Sequence, residues 1–382
     1  MAIYLIVLMC LLNHIAFSGS RVVVSLYALE LGATQMTIGL IMALYALCPM
    51  MLAVYIGKLA DRVGPRLPML IGTTGVTIAL FLPPLLSGLG TLYVLALLIG
   101  MSFHSFHVTV IGITGGIGNS ENRLRNYAMV ALGFSGASFV GPVTAGFSID
   151  HFGHIPAFIL LAAFTLIPIL LLLFKTGFLP QAVKRGRADE KRKVMDLWRI
   201  SALRNTLIAS GIISSAHDLF NFYMPVYGHA IGLSASAIGM VIGFCSLAAF
   251  IIRVLVPRLA KISSESNVLK YAIFVAACAF LLFPFFQDAS VLASIAFLLG
   301  LGCGVGQPMS MSLLYSLSPH GRVAESSGLR VAVNNFTHIV VPLFFGSLGA
   351  TFGFFPVFLS NSMILVTVGY MMSRSRIPNP GA

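Results

Sequence analysis

Residues 57–66 read Gly-Lys-Leu-Ala-Asp-Arg-Val-Gly-Pro-Arg and separate two strongly apolar runs, 36–56 and 67–88. An acid among basic residues in so short a loop can tie two helix ends together, through charge-assisted hydrogen bonds and through a carboxylate placed at a positive helix N-terminus. Apolar runs recur along the chain, each about as long as the roughly 20 residues that a helix needs to cross a bilayer. Twelve such runs are present: 3–29, 36–56, 67–88, 91–116, 127–149, 155–174, 203–228, 236–256, 268–287, 290–316, 327–349 and 355–373.

The composition indicates that the solvent of this chain is a bilayer. Of its 382 residues, 58% are hydrophobic and 9% are charged, whereas soluble domains carry roughly 25% charged residues. Twelve spanning helices and short loops use up nearly all of the length, which leaves no room for a sizeable extramembrane domain. We therefore expect an all-α polytopic membrane protein. A membrane-embedded enzyme is disfavoured, because no nucleophile and base occur at a suitable spacing.

The basic residues predict the topology. All Lys and Arg except Arg21 fall in alternate segments between the runs or within four residues of a run end that borders such a segment, and the other loops carry none. By the positive-inside rule, both termini are expected in the cytoplasm, and the first run, 3–29, is expected to be a spanning helix of an inner-membrane protein. The net charge of +12 then reflects topology and contact with lipid. We expect no nucleic-acid partner, whose footprint would be a basic patch on a soluble fold.

The two halves of the chain are copies of each other. A shift of 200 residues without a gap aligns Pro142 with Pro342 and Gly146 with Gly346, among other pairs. A constant offset over six helices indicates two halves in the same membrane orientation, as in secondary transporters whose substrate site lies between parallel repeats. The expected domains are an N-terminal six-helix bundle (1–174), a cytoplasmic linker (175–202) and a C-terminal six-helix bundle (203–382).

The loop at 57–66 resembles the signature between helices 2 and 3 of the major facilitator superfamily, roughly G-x-L-A-D-R-x-G-R-R, and departs from it at Pro65, where the family usually has Arg. The resemblance covers essentially the whole chain and implies alternating access between two bundles. It also implies that the loop is a conformational latch, in which Asp61 meets the N-terminal end of helix 11 near 326–328. The alternative is a tight cationic turn without that role. The expected latch residues are Gly57, Asp61, Arg62, Gly64 and Arg66.

Residues 133–146 resemble the glycine-rich helix-5 motif of drug and proton antiporters in the same superfamily, with Ala137 and Ala145 where that motif prefers Gly. Small residues at this spacing let helices approach closely. Pro142 and Gly146 recur in helix 11 as Pro342 and Gly346. The alternative is therefore that these residues serve helix packing in both halves. The residues that carry the motif are Gly141, Pro142 and Gly146.

Few ionisable side chains lie inside the predicted helices, where each costs about 2.5–3.5 kcal/mol on insertion scales. One face of helix 1 carries His14, Ser18, Arg21 and Ser25, and one face of helix 7 carries Ser214, Asp218 and Asn221. We expect Asp218 to be the proton-binding carboxylate, and Arg21 either to pair with it or to bind an anionic group of the substrate. A static ion pair that only fixes helix packing is the alternative.

Two histidines on helix 4, His104 and His107, are spaced i, i+3 and share a helix face. The family resemblance places helices 1, 4, 7 and 10 around the cavity, so that both could contact substrate or relay protons; the alternative is a packing role. No Cys or acid accompanies them, so we expect no metal site and no cofactor. Further candidates for the substrate and proton pathway are Gln307, at the repeat position of His107, and the helix-11 stripe of Arg330, Asn334 and His338.

These features predict a secondary active transporter. The helix-5 resemblance and the buried acid favour proton-coupled export of a small organic compound, whereas Arg21 and the intramembrane histidines favour the alternative, proton-coupled uptake of a small organic anion. A receptor or scaffold that kept the fold is a third possibility. We expect a monomer whose partners are a small-molecule substrate, protons and membrane lipid, and the identity of the substrate does not follow from the sequence.

Overall fold

The structure is a computed structural model. It describes the backbone of residues 2–114, 123–175, 177, 179, 194–319 and 322–374, and the side chains in those ranges other than 48–58, 60–62, 123–124, 194–195, 257, 260–261 and 323–325.

Twelve helices of 15 to 30 residues make up nearly all of the described chain, which contains no strand. This confirms the predicted all-α class. The helices are α1 (Ala2–Glu30), α2 (Gln35–Val63), α3 (Arg66–Leu80), α4 (Leu89–Thr114), α5 (Arg123–Phe152), α6 (His154–Phe174), α7 (Ser201–Ala230), α8 (Ala235–Ile262), α9 (Glu265–Leu282), α10 (Ala289–Leu317), α11 (Val323–Phe352) and α12 (Phe354–Arg374). Short helical turns occur at Leu82–Leu85, Val194–Arg199 and Phe283–Phe285.

Ten of these helices are long and apolar enough to cross a membrane, judged by length and composition over the described residues. The other two are α2, in which an apolar stretch, Gln35–Leu47, falls below that length, and α7. Helix α7 is 30 residues long. The polar stripe that contains Asp218 lowers the mean hydropathy of α7. The helix is therefore long enough to cross a membrane but more polar than the other spanning helices.

The turns repeat at the same offset of 200 residues as the sequence. Helices α5 and α6 are separated by Gly153 alone (φ 85°), and α11 and α12 by Gly353 alone (φ 80°). Residues with a Cβ rarely adopt such angles. Likewise, the Thr34 hydroxyl accepts a hydrogen bond from the Thr37 amide, and the Ser234 hydroxyl caps the start of α8 in the same way. The duplication therefore preserves the geometry of the turns as well as the apolar pattern.

Close helix crossings are duplicated too. Helices α2 and α4 meet at Gly100, where a Cβ would collide with the carbonyl oxygen of Tyr45, and α8 and α10 meet at Gly300, where it would collide with the carbonyl oxygen of Cys245. Both pairs are 200 residues apart. Small residues at crossings of this kind allow backbones to approach closely, which drives helix association in lipid.

The chain divides into two compact units. The first contains α1–α6, the end of α7 from Met224 and the start of α8 as far as Gly243; the second contains the rest of α7 and α8 together with α9–α12. These compact units do not coincide with the two six-helix bundles expected from the sequence. The division into bundles at 1–174 and 203–382 stays a prediction. A buried core in the first unit joins α1, α3, α4, α5 and α6 through Ile6, Met9, Cys10, Met69, Phe106, Val110, Val130 and Leu172.

Candidate functional site

A cavity of about 100 Å³ lies within the second unit, where side chains from α7, α8, α10 and α11 converge. Opposite charges, imidazoles and amides line it beside a few apolar groups, which is unusual for the interior of a membrane-spanning bundle. Its lining consists of Ile213, Ser214, His217, Asp218, Ala249, Arg253, Cys303, Gly304, Gln307, Asn334 and His338. Four of the sequence-predicted pathway residues are thus gathered around one space: Asp218, Gln307, Asn334 and His338.

An ion pair between Asp218 on α7 and His338 on α11 crosses this cavity, with Oδ2 of the carboxylate facing Nδ1 of the ring. The Asp218 side chain is 14% exposed and that of His338 is 34% exposed. A carboxylate and an imidazole in contact can hold a proton on either partner, and each stabilises the charged form of the other. The pair is therefore suited to taking up and releasing a proton.

Asn221 lies one turn beyond Asp218 on α7 but does not line the cavity. Its amide nitrogen donates to the carbonyl oxygen of His217 at 2.9 Å, so that the side chain is turned back onto its own helix. Ser214, one turn in the other direction, does line the cavity. The structure thus brings part of the predicted α7 stripe into the cavity.

In the first unit, the three histidines at 14, 104 and 107 lie in an aromatic cluster. His14 Nε2 is 2.9 Å from the Ser138 hydroxyl of α5. The ring of Phe103 lies 5.3 Å from that of His14 and 5.7 Å from that of His107, and His104 and His107 are 6.0 Å apart. Among the described residues, no group of three or more His, Cys, Asp or Glu is arranged to hold a metal ion.

The other two helix-1 candidates occupy different settings. The Ser18 hydroxyl is 2.8 Å from the carbonyl oxygen of His14 and 3.1 Å from that of Ala137, so it contributes to the contact between α1 and α5. Arg21, one turn further along α1, is half-buried. It belongs to the first unit and Asp218 to the second, and their predicted pairing stays a prediction.

Of the five latch candidates, Gly64 and Arg66 have described surroundings. Gly64 ends α2 with φ 83°. Arg66 begins α3, and its guanidinium donates to two carbonyl oxygens in the last turn of α6, those of Leu172 at 2.8 Å and Leu173 at 2.9 Å. A cation at a helix C-terminus is favoured by the helix dipole. Arg66 therefore joins α3 to α6 within one unit. Gly57 lies within α2, and the side chains of Asp61 and Arg62 lie outside the described part of the chain.

The helix-5 motif packs α5 on two sides. A Cβ on Gly141 would lie 2.8 Å from the Ile15 carbonyl oxygen of α1. A Cβ on Gly146 would collide with the carbonyl oxygen of Ala235, and one on Gly239 with that of Pro142. These positions bring α5 against α1 and against the first turns of α8.

An acid that the sequence did not single out closes the same contact. Asp150, near the end of α5, accepts hydrogen bonds from the backbone amides of Ala235 at 3.0 Å and Ser236 at 2.8 Å. These amides open α8 and have no partner within their own helix. Asp150 thus caps a helix 85 residues away along the chain, and sequence alone marks it only as an acid just before a turn.

Arg253 and Arg330, which the topology rule counted with the loop residues, lie about two turns inside helices. Arg253 of α8 lines the cavity and donates from Nε to the Gly304 carbonyl oxygen at 3.3 Å. Arg330 of α11 is only 8% exposed. Both fall inside the apolar runs predicted above, 236–256 and 327–349. Arg330 was predicted as part of the helix-11 stripe, whereas Arg253 was not singled out, and its position inside a run was the signal that could have identified it.

Comparisons with known proteins agree on the family. The family model described as Major Facilitator Superfamily matches residues 6–342. The chain is 24% identical over 374 residues to the multidrug resistance protein MdtG of Salmonella schwarzengrund (strain CVM19633), an alignment that covers 91% of this chain and 89% of that protein. The MdtG protein of Salmonella choleraesuis (strain SC-B67) is 25% identical over 366 residues, with the same coverage.

Solved structures share the fold. A POT family transporter in complex with a thioalcohol-conjugated peptide superposes with a TM-score of 0.83 at 13% identity, covering 97% of this chain and 95% of that one. The nucleoside transporter NupG superposes with a TM-score of 0.79 at 14% identity, covering 98% and 100%. At these identities the likeness establishes the architecture alone.

Proposed function

The chain belongs to the major facilitator superfamily, and from that premise we propose that it exports a small organic compound in exchange for protons. It is a multi-pass membrane protein and a secondary transporter of small molecules, not an enzyme. The proposed direction draws on its similarity to proteins named for multidrug resistance. The observation that carries the proposed coupling is the Asp218–His338 pair in a polar cavity.

Asp218 is the proton-binding group in this proposal, and His338 is its partner. Exchange requires that proton and substrate exclude each other. An ionised Asp218 can accept a hydrogen bond from a donor group on the substrate, whereas a protonated Asp218 offers its own hydrogen and loses that attraction. Because Gln307 and Asn334 line the same cavity, they supply neutral donors and acceptors that orient the substrate in either state.

The histidines and Arg21 of the first unit complete the proposed pathway. Three imidazoles among aromatic rings offer a surface that can stack on planar groups and hydrogen-bond to polar ones. His14, His104 and His107 are therefore proposed to contact the substrate, and Arg21 to bind its polar end. In this scheme Ser18 and the helix-5 motif act through packing, since they fix how closely α1 and α5 approach.

The proposed topology places both termini in the cytoplasm of an inner-membrane protein that works as a monomer among lipids. The loop at 57–66 is proposed as the latch between the two bundles on that side. Asp150 and the first turn of α8 would then lie on the opposite side of the membrane.

Everted membrane vesicles test the exchange. A pH gradient is imposed, a panel of antibiotics and cationic dyes is added one compound at a time, and the collapse of the gradient is followed with a fluorescent amine. We expect at least one compound to dissipate the gradient, and the Asp218→Asn protein, whose side chain is neutral like a protonated carboxyl, to lose this response. Vesicles of the opposite orientation distinguish export from uptake.

The matched control is Asp196→Asn, which makes the same substitution at an exposed carboxylate on the turn Val194–Arg199. It should respond like the wild type. A full proton response in Asp218→Asn vesicles would show that another group carries the proton.

A further inference from the structure

A buried guanidinium in the second unit pairs with no carboxylate among the described residues, and it lies outside the lining of the Asp218 cavity. Arg330 of α11 is 8% exposed. Its Nε donates to the Ser210 hydroxyl of α7 at 2.9 Å, and its Nη1 lies 3.5 Å from the sulfur of Met311. Its Nη2 is buried and has no hydrogen-bond partner. Over the residues that the structure describes, no acid pairs with this side chain.

Neutral polar groups from three helices surround the guanidinium. The Ser210 hydroxyl is 3.3 Å from that of Ser310 on α10, and 3.5 Å from the amide oxygen of Asn334 on α11. Both serines are buried, at 1% and 0% exposure. Two hydroxyls, an amide and the Arg330 guanidinium therefore lie within a few ångströms of one another.

The polar residues of this cluster lie at about the same distance from the ends of their helices. Arg330 is about two turns from the start of α11, Ser210 about two and a half turns from the start of α7, and Ser310 about two turns from the end of α10, at 3.6 residues per turn. These helix ends are the ones that the proposed topology places at the cytoplasmic face. The cluster therefore forms one layer, and Asn334, which also lines the cavity, connects that layer to Asp218 and His338.

A guanidinium that is removed from water and left without a counter-charge is costly, and intramembrane arginines are retained chiefly at functional sites. Its planar fork matches a carboxylate or phosphate group, which can accept two parallel hydrogen bonds. We propose that Ser210, Ser310, Arg330 and Asn334 form an oxyanion-binding site that takes a carboxylate or phosphate group and so supplies the missing counter-charge. The site depends neither on the direction of transport nor on proton coupling.

Thermal unfolding of the purified full-length protein in detergent tests the site, with inorganic phosphate and benzoate as probes and sodium chloride at equal ionic strength as the reference. A ligand that binds only the folded state raises the unfolding temperature with its concentration. We expect both oxyanions to raise it, and Arg330→Gln to abolish the shift. Without an oxyanion, Arg330→Gln should be at least as stable as the wild type, because it removes an uncompensated buried charge.

Two further variants keep the test decisive if Arg330→Gln folds poorly. Arg330→Lys keeps the charge but not the fork, and Ser210→Ala keeps the arginine but removes its hydrogen-bond acceptor. Each should weaken apparent binding of the oxyanion about tenfold, which corresponds to the loss of one good contact. The matched control is Arg374→Gln, which removes a charge at the end of α12, where the guanidinium lies over the Tyr370 ring. It should keep the full shift.

The group could belong to a free solute or to a lipid headgroup, and nanodiscs of neutral lipid compared with nanodiscs that contain phosphatidylglycerol distinguish them. A shift that depends on Arg330 and appears only with the anionic lipid supports the site and assigns it to a headgroup; one seen with phosphate or benzoate in detergent assigns it to a solute. The same shift in Arg330→Gln as in the wild type, or no shift with any probe, would overturn the proposal. Proton exchange by an otherwise active protein would be unaffected by that failure.

Discussion

Replacing Asp150 by Ala should loosen the first turn of α8. The carboxylate accepts two backbone hydrogen bonds, at 3.0 and 2.8 Å, from amides that have no other helical partner. Loss of a capping side chain costs about 0.5–2 kcal/mol, and loss of a negative charge at a helix N-terminus about 0.3–1 kcal/mol. Because Asp150 is exposed and screened by solvent, we expect a total of about 1–2 kcal/mol. Asp150→Asn, which keeps the shape, should recover part of it.

Hydrogen exchange followed by mass spectrometry measures this effect where it occurs. A free-energy loss of about 1–2 kcal/mol corresponds to a factor of about 5–30 in an equilibrium. Peptides that span the α7–α8 turn and the first turn of α8 should therefore exchange faster in Asp150→Ala by about that factor. The thermal unfolding temperature should fall as well, since α5 and α8 lose a tie that the glycine contacts alone do not replace.

Asp288 provides the matched control, because it caps α10 through the amides of Ser290 at 2.9 Å and Val291 at 3.1 Å. That cap is local to its own helix. Asp288→Ala should cost similar stability but accelerate exchange only at the start of α10. If exchange in the first turn of α8 is the same in Asp150→Ala and in the wild type, then the carboxylate does not hold these helices and the reasoning fails.

Three further predictions test the packing of the first unit by thermal unfolding. Gly239→Ala should cost about 1–3 kcal/mol, because its Cβ would collide with the Pro142 carbonyl oxygen; a neutral result would mean that α8 can shift freely. Thr73→Val should cost more than Asn13→Leu, since the first leaves the fully buried Asn13 amide without its 3.0 Å partner and the second removes the amide; the reverse order would contradict this. Arg66→Gln should lower stability by about 1–3 kcal/mol through two lost charge-assisted hydrogen bonds to α6, and Arg374→Gln, exposed at the end of α12, should not.

The sequence was most informative about periodic features. Apolar runs of spanning length and a constant offset of 200 residues depend on many residues at once, so single exceptions do not disturb them. The offset even extends to the glycine turns, where Gly153 and Gly353 adopt nearly the same backbone angle. The grouping of Asp218 with His338 also has a sequence signal, since each lies on a polar stripe of an otherwise apolar helix.

Contacts that depend on single side chains were not predictable in the same way. The rule that assigns Lys and Arg to loops cannot tell a residue at a helix end from one two turns inside. Arg253 was counted with the loop residues for this reason, and so was Arg330, although Arg330 also belonged to the predicted helix-11 stripe. Asp150 was overlooked because its partners are backbone amides, which leave no trace in a pattern of side chains. Arg66 was expected in a latch, and its described partners are carbonyl oxygens of α6.

The single-residue turns have a practical consequence for anyone who wishes to label this protein. The Gly153 amide donates to Ile149 at 2.8 Å to close α5, and its carbonyl accepts from Ala157 at 3.4 Å to open α6. An inserted epitope, fluorescent reporter or protease site would break these two hydrogen bonds, and the single-residue turn at Gly353 sets the same limit between α11 and α12. The turns at 31–34 and 231–234 are longer, since four residues separate neighbouring helices there, and a tag inserted in either of them would have to spare the caps at Thr34 and Ser234.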